Sequence, residues 1–277
     1  MYKYFKRATK IALRKFVLFV SLPLLRYCGY KKQTLKLGLP ESHYFRGEDS
    51  LGSLNQIHKR YLKQTGWVES KNSNQSVRFG KFIPWTSYSF THWIEKKNFK
   101  TSNILEFGSG ASTMYWATKF ARVLSIESDL NWFEKMQSAT IQIANVTVCN
   151  LWTDDSSSHQ GEIYSKAKSV FEMDLKLFPE LNLAFKNINF DLVYKCVQES
   201  SVFFVDGGPR NLYMYLLSEW VDDSAVIFVD NSDQLYTSEG RNLLTLREFK
   251  EIEFNSLGPL NHSATSTSIF IKNLNSL

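Results

Sequence analysis

Residues 103–120 constrain the fold of this chain more than any other stretch. A short apolar run, Asn103–Phe107, breaks at Gly108-Ser109-Gly110, and a helical pattern then runs from Ser112 to Phe120. A strand that ends in a two-glycine turn and feeds a helix is the opening unit of a parallel α/β sheet. Such a turn also leaves backbone N–H groups open to a ligand beside the strand's carboxyl end. The alternation continues downstream. Val123–Ile126 reads as a second strand. A helix starting at Ser128 or Asp129 follows, with Leu130, Phe133 and Met136 facing inward. Val146–Cys149 is a third strand and Val202–Val205 a fourth, followed by a helix with Leu212, Tyr215, Leu216 and Trp220 on one face. Ala225–Val229 is a fifth strand, and Glu251–Phe254 and Ser268–Ile271, joined at Gly258-Pro259, close the sheet edge. The fold class expected is α/β, a doubly wound, mostly parallel seven-stranded sheet. Residues 155–200 show no clean period and read as an insertion near the substrate.

Ahead of this domain, placed at 101–277, the sequence divides into an arm at 1–36 and an N-terminal helical cap at 37–100. In the cap, Ser53 followed by Leu54, Ile57 and Tyr61 reads as a capped helix. Lys71–Ser76 reads as a polar loop, and Phe90, Trp93 and Ile94 recur at helical spacing. The arm carries the charge imbalance. It holds ten Lys and Arg and no acid, which leaves 23 basic against 27 acidic residues elsewhere in a chain of net charge +6. That pattern excludes a broadly basic face, and no nucleic-acid partner is expected. Within the arm, Phe16–Leu25 is too short to span a bilayer, which takes about 20 apolar residues, and no small-residue cleavage site follows it. Two readings stand: residues 1–30 lie on an anionic membrane surface, or they pack on the protein or a partner. A cytoplasmic protein, peripheral on the inner face of a membrane under the first reading, is expected. Cys28, Cys149 and Cys196 have no metal or redox spacing, which argues against a disulfide framework.

The chemistry concentrates at strand ends. Glu127 ends the second strand 17 residues beyond Gly110, where an acid can accept hydrogen bonds from both ribose hydroxyls of an adenosine cofactor; otherwise it caps the next helix. With these residues in view, the chain resembles the class I S-adenosylmethionine-dependent methyltransferases, whose fold is Rossmann-like. Glu106-x-Gly108-x-Gly110 is similar to that family's first motif, with Thr113 where dinucleotide enzymes carry a third glycine and Ser112 where the family commonly has one. The resemblance implies S-adenosylmethionine as cofactor, held by Glu106, Gly108, Ser109, Gly110, Ser112, Thr113 and Glu127. It also implies that Glu106 lies near the methionine amino group, and Asp154 or Asp155 is a candidate for the adenine amino group. A narrower likeness, to uncharacterised bacterial and viral methyltransferase-like proteins, rests on Phe45–Leu51 (FRGEDSL), Ile83–Trp85 (IPW) and Thr267–Phe270 (TSIF). It makes Trp85 a candidate to cover cofactor or acceptor, beside its reading as a core or capping aromatic.

Asp206 and Arg210 follow the fourth strand, and Asp230 and Asn231 end the fifth. This resembles the oxygen-directed, metal-dependent branch of the family, which implies Asp206, Asp230 and Asn231 as ligands of Mg²⁺. Alternatively Asp206 is itself a base or substrate anchor, and Arg210 steers an anionic acceptor or pairs with Asp206 or Asp230. The function expected is methylation of a hydroxyl on a small molecule or glycan. The alternatives are a catalytically inactive methyltransferase-like scaffold, a dehydrogenase of the same architecture, or a membrane-associated assembly protein with a regulatory nucleoside site. The five histidines show no ligand spacing; His159, in a polar loop, is the first to mutate.

Overall fold

The structure is a computed structural model and describes residues 57–154, 161–178 and 184–273. The arm at 1–36, Ser53, Leu54, Phe45–Leu51, Asp155 and His159 lie outside the described residues. The chain divides into two units, 1–64 and 65–277. In the first, Ile57–Leu62 forms a π-helical turn. No helix among the described residues is long and apolar enough to cross a membrane.

The second unit is built on a seven-stranded sheet. The elements in chain order are α1 (Trp67–Ser73), the hairpin β1 (Val77–Arg78) and β2 (Lys81–Phe82), α2 (Tyr88–Glu95), β3 (Phe99–Phe107), α3 (Ala111–Lys119), β4 (Phe120–Glu127), α4 (Leu130–Thr140) and β5 (Val146–Asn150). There follow α5 (Glu162–Leu177), α6 (Phe190–Gln198), β6 (Val202–Val205), α7 (Arg210–Trp220), β7 (Val226–Asp230), α8 (Ser238–Leu246), β8 (Lys250–Leu257) and β9 (Ala264–Ile271). The sheet order is β5-β4-β3-β6-β7-β9-β8. All pairings are parallel except those of β9, which runs antiparallel to β7 and β8. This is the doubly wound, Rossmann-like sheet expected, and its winding reverses between β3 and β6.

The central strands read as unbroken apolar runs because both faces are covered. Leu105, Phe107, Phe203, Val205, Ile227 and Val229 face one helical layer. Ile104, Val202, Phe204, Val226 and Phe228 face the other, where α2 and α3 pack. Phe90 of α2 sits edge-on against Phe228 at 5.1 Å. Ser87 caps that helix, its side chain accepting from Phe90 N.

Three local readings need correction. Lys71–Ser73 is the last turn of α1 rather than loop. Trp67 gives this short helix tertiary support by donating from Nε1 to the carbonyl of Asn261 at 2.7 Å, which a seven-residue helix requires. On α4, Met136 is buried and Phe133 half-buried, but Leu130 is exposed, because the helix begins at the rim of the sheet. Residues 161–200 are not an insertion. Their helices α5 and α6 form the layer over the sheet, with Val170, Phe171, Val193 and Val197 in the core. The period of α5 was hidden because its inward stripe includes Ala167 and a buried carboxylate, Asp174. Asp174 accepts from Asn211 Nδ2 at 2.6 Å and from Leu212 N at 3.0 Å. It thereby satisfies an otherwise unpaired donor at the start of α7.

Candidate functional site

The carboxyl ends of β3, β4, β6 and β7 form one rim, where open α/β sheets bind ligands. At its centre the chain leaves β3 through Gly108, whose φ is +98°. A side chain there would put its Cβ 2.9 Å from Gly207 N and 3.1 Å from Gly207 Cα. Gly207 N in turn donates to the carbonyl of Phe107 at 2.9 Å. Two glycine-bearing turns, from β3 and β6, are thus in backbone contact. Gly110 differs: its backbone is extended, and a Cβ there would meet nothing within 4 Å. The turn is locked on one side and open on the other.

The two glutamates anchor this turn in different ways. Glu106 is fully buried beneath it. The Glu106 carboxylate accepts from Thr113 Oγ1 at 2.5 Å, Trp116 Nε1 at 3.1 Å and Ser125 Oγ at 3.1 Å. Burial pushes its pKa up to about 8, against the opposing pull of the Ser112, Thr113 and Ser125 hydroxyls. Glu127 lies at the rim. Its Oε2 accepts from the Ser109 amide at 2.9 Å and hydroxyl at 2.7 Å, and its Oε1 from the amides of Ser128 at 2.8 Å and Asp129 at 2.9 Å. The acid therefore holds the backbone just ahead of α4, whose N-cap is Asp129, and also ties the glycine turn to the neighbouring strand. Trp132, which sequence reading missed, completes the clamp by donating from Nε1 to Ser109 O at 2.7 Å. Its only sequence signal was an aromatic in the first turn of the helix after Glu127.

Across the rim, Asp206, Asp230 and Asn231 gather around Arg210. One guanidinium nitrogen lies 3.5 Å from Asp206 Oδ1. The other donates to the Asp230 carbonyl at 2.8 Å and to Asn231 Oδ1 at 3.0 Å. Asp230 is buried, and its Oδ1 accepts from Thr267 Oγ1 at 2.6 Å. That hydroxyl itself accepts from the Ser87 amide at 3.0 Å. Desolvation pushes Asp230 up to about 8, reinforced by Asp206 and opposed by Arg210. Asp206 is also raised by desolvation and lowered by Arg210, but its side chain keeps 26% of its exposure where Arg210 keeps 14%. Asp206 is thus the acid that remains open at the rim.

The oxygens that the resemblance implied as Mg²⁺ ligands are engaged within the protein. Asp206 and Asn231 present their oxygens to an internal cation, and Asp230 presents Oδ1 to Thr267. Among the described residues no group of three or more His, Cys, Asp or Glu side chains is placed to hold a metal ion. Arg210 takes the structural pairing, and it also lies 5.6 Å from the Tyr236 ring centroid.

Trp85 is half-exposed and donates from Nε1 to Asn261 Oδ1 at 2.8 Å, against the connection between β8 and β9. Ser112 and Thr113 are buried in the first turn of α3, and Asp154 is exposed beyond Trp152.

No protein-family model matches the chain, and no curated protein matches it. Solved structures to which it is similar include the precorrin-6y C5,15-methyltransferase of Geobacter metallireducens, at 10% identity over 65% of this chain and 83% of that one, TM-score 0.43. An S-adenosylmethionine-dependent O-methyltransferase of Thermotoga maritima is 12% identical over 75% of this chain and 71% of its own, TM-score 0.41. Aeropyrum pernix fibrillarin, solved with natively bound S-adenosylmethionine, is 10% identical over 62% of this chain and 67% of its own, TM-score 0.40.

Proposed function

We propose that the protein is an S-adenosylmethionine-dependent methyltransferase acting on a hydroxyl of a small molecule or sugar unit. The observation that carries this reading is the junction of glycine turn and strand-end acid. The Ser109 amide and hydroxyl bind Glu127 Oε2 while the adjoining backbone at Gly110 stays open. That pairing suits a nucleoside laid across the turn with its ribose diol at Glu127. A carboxylate has about four lone-pair sites, and four donors already use them. Turning the rotatable Ser109 hydroxyl away therefore frees one acceptor site, which takes one ribose hydroxyl while the three amide bonds stay.

When bound, the cofactor supplies an electrophilic methyl group on a sulfonium. The protein's task is then to orient two reactants and manage one proton. Asp206 is the candidate general base for the acceptor hydroxyl. Its raised pKa improves it as a base, and its residual exposure leaves it reachable. Arg210 keeps that carboxylate anionic and directs it, and its anchorage to Asp230 O and Asn231 Oδ1 fixes the direction. Glu106 stays outside the chemistry in this reading, because Thr113, Trp116 and Ser125 hold it below the turn. A cytoplasmic setting and the membrane-surface role of residues 1–30 are part of the same proposal.

Calorimetry with S-adenosylhomocysteine and with NAD tests the cofactor. Micromolar binding of the first and none of the second is expected; the reverse would make the protein a dehydrogenase. Transfer of labelled methyl groups to a panel of hydroxyl acceptors, including cell-envelope sugars, tests the reaction. Binding without transfer to any acceptor would favour the non-catalytic scaffold.

A further inference from the structure

The hairpin between α1 and α2 carries a strained aromatic residue that the candidate site does not use. Its two central residues, Phe79 and Gly80, both have positive φ, +52° and +71°. Positive φ at both positions marks the primed turns of tight hairpins, for which asparagine followed by glycine is the favoured pair. A bulky side chain in the left-handed region is an outlier. Burial of the ring would offset that strain, but Phe79 is 72% exposed. The tip is also held firmly. Its two amides donate to one carboxylate, Phe79 N to Glu69 Oε2 at 2.7 Å and Gly80 N to Glu69 Oε1 at 2.8 Å. The ring is thus held out into water at a conformational cost, and packing among the described residues does not account for it.

The charge around the hairpin says what the ring meets. Residues 65–100 hold six Lys and Arg against two acids. Both acids are taken up within the protein: Glu69 binds the tip, and Glu95 pairs with Arg78 at the hairpin's base. Lys81 lies across the hairpin from Arg78 and is exposed, as is Lys96, the residue after Glu95. Phe82, next to Lys81, is a second exposed ring. An aromatic side chain on a rigid tip beside a basic surplus suits a lipid interface, where the ring enters the acyl boundary and the ammonium groups meet anionic headgroups. The positive surplus selects an anionic surface. A single protruding ring selects a fluid one, which needs no shaped pocket to receive it.

We infer that the Phe79–Gly80 tip docks on an anionic membrane surface, with the Phe79 ring entering the headgroup region and Lys81 and Lys96 facing lipid phosphate. The inference depends neither on the cofactor reading nor on the role proposed for residues 1–30, because the hairpin and α2 both belong to the unit 65–277.

The test is co-sedimentation of the whole chain with vesicles of equal parts phosphatidylcholine and phosphatidylglycerol, and with vesicles of phosphatidylcholine alone. Wild type, Phe79→Asn and Lys81→Ser are compared, and each is melted without lipid. Phe79→Asn is expected to melt at or above the wild-type temperature, because asparagine tolerates positive φ. It is expected to partition about tenfold more weakly into the mixed vesicles, through the loss of a buried ring. Lys81→Ser is expected to partition about fivefold more weakly into the mixed vesicles and equally into the neutral ones. Residues 1–30 are present in all three proteins, so their contribution cancels. Equal partition of Phe79→Asn and wild type would overturn the inference, as would wild-type binding to neither vesicle. A lower melting temperature for Phe79→Asn would mean that the ring packs within the protein, and would overturn it as well. Unchanged partition of Lys81→Ser into the mixed vesicles would do the same, by removing the anionic surface from the argument.

Discussion

Gly108 and Gly110 sit two residues apart in one turn, and the structure gives a methyl group on each a different fate. At Gly108, alanine meets a positive φ of +98° and the Gly207 backbone nitrogen at 2.9 Å. The left-handed conformation costs about 1–2 kcal/mol, and overpacking against a backbone that cannot swing aside adds about 1–3 kcal/mol. The sum, roughly 2–5 kcal/mol, is a large share of a typical 5–15 kcal/mol stability. At 2–4 °C per kcal/mol for a domain of this size, Gly108→Ala should lower Tm by roughly 4–20 °C. At Gly110 the methyl meets no atom within 4 Å, and Tm should stay within a few degrees of wild type. The space it enters is where a nucleoside would cross the turn. A methyl pressed against the ligand at about 1–3 kcal/mol should weaken S-adenosylhomocysteine roughly 5–150-fold. Differential scanning fluorimetry and titration calorimetry on the two variants and the wild type read both quantities. A Gly110→Ala protein of normal Tm and undiminished affinity would refute the reasoning, because no ligand could then lie over that turn. Gly108→Val cannot serve in its place, since weak binding there would only report a damaged fold.

Glu106 makes a pH prediction. Its folded pKa of about 8 stands above the usual 4.5, so the folded state holds this proton more tightly than the unfolded chain. The resulting stability is fully present below the ordinary carboxylate pKa and is lost as pH rises through about 8. Urea unfolding from pH 5 to 9 should show a shallower decline for Glu106→Gln than for wild type; parallel curves would contradict the assignment. Asp206→Asn should lower kcat about 10²–10⁴-fold, the usual worth of a general base, with S-adenosylhomocysteine affinity nearly unchanged by calorimetry; a fully active variant would remove Asp206 from the mechanism. Arg210→Ala removes the cation facing Asp206 and the donor to the Asp230 carbonyl and Asn231 Oδ1, and should cost about 1–3 kcal/mol, seen in denaturant midpoints. Wild-type methyl transfer should meanwhile survive chelation of divalent ions, and chelator-sensitive turnover would restore the metal reading.

Much of the site was legible because its residues are tied to local pattern. The turn after Phe107, the acid after Ile126 and the acids after Val205 and Val229 all sit where an apolar run stops. In a parallel sheet every such stop falls on one rim. The roles of the acids were not legible. Whether Glu106 faces a ligand or lies buried under the turn depends on Trp116 and Ser125, ten and nineteen residues away. Whether Asp206, Asp230 and Asn231 await a metal depends on a guanidinium that α7 swings back between two strand ends.

The same division holds for the thiols. Cys149 and Cys196 show no meaningful spacing, yet Cys149 packs against the core cluster that holds Cys196, whose thiol lowers that of Cys149 to about 7. Hydrophobic period and turn chemistry are short-range properties, so the sequence by itself determined the strands, the turns and the rim where they end. Partner choice among charged and polar groups acts through space, across chain separations of tens of residues. Only the packed sheet could therefore decide which of those groups are consumed within the protein and which are left to a ligand.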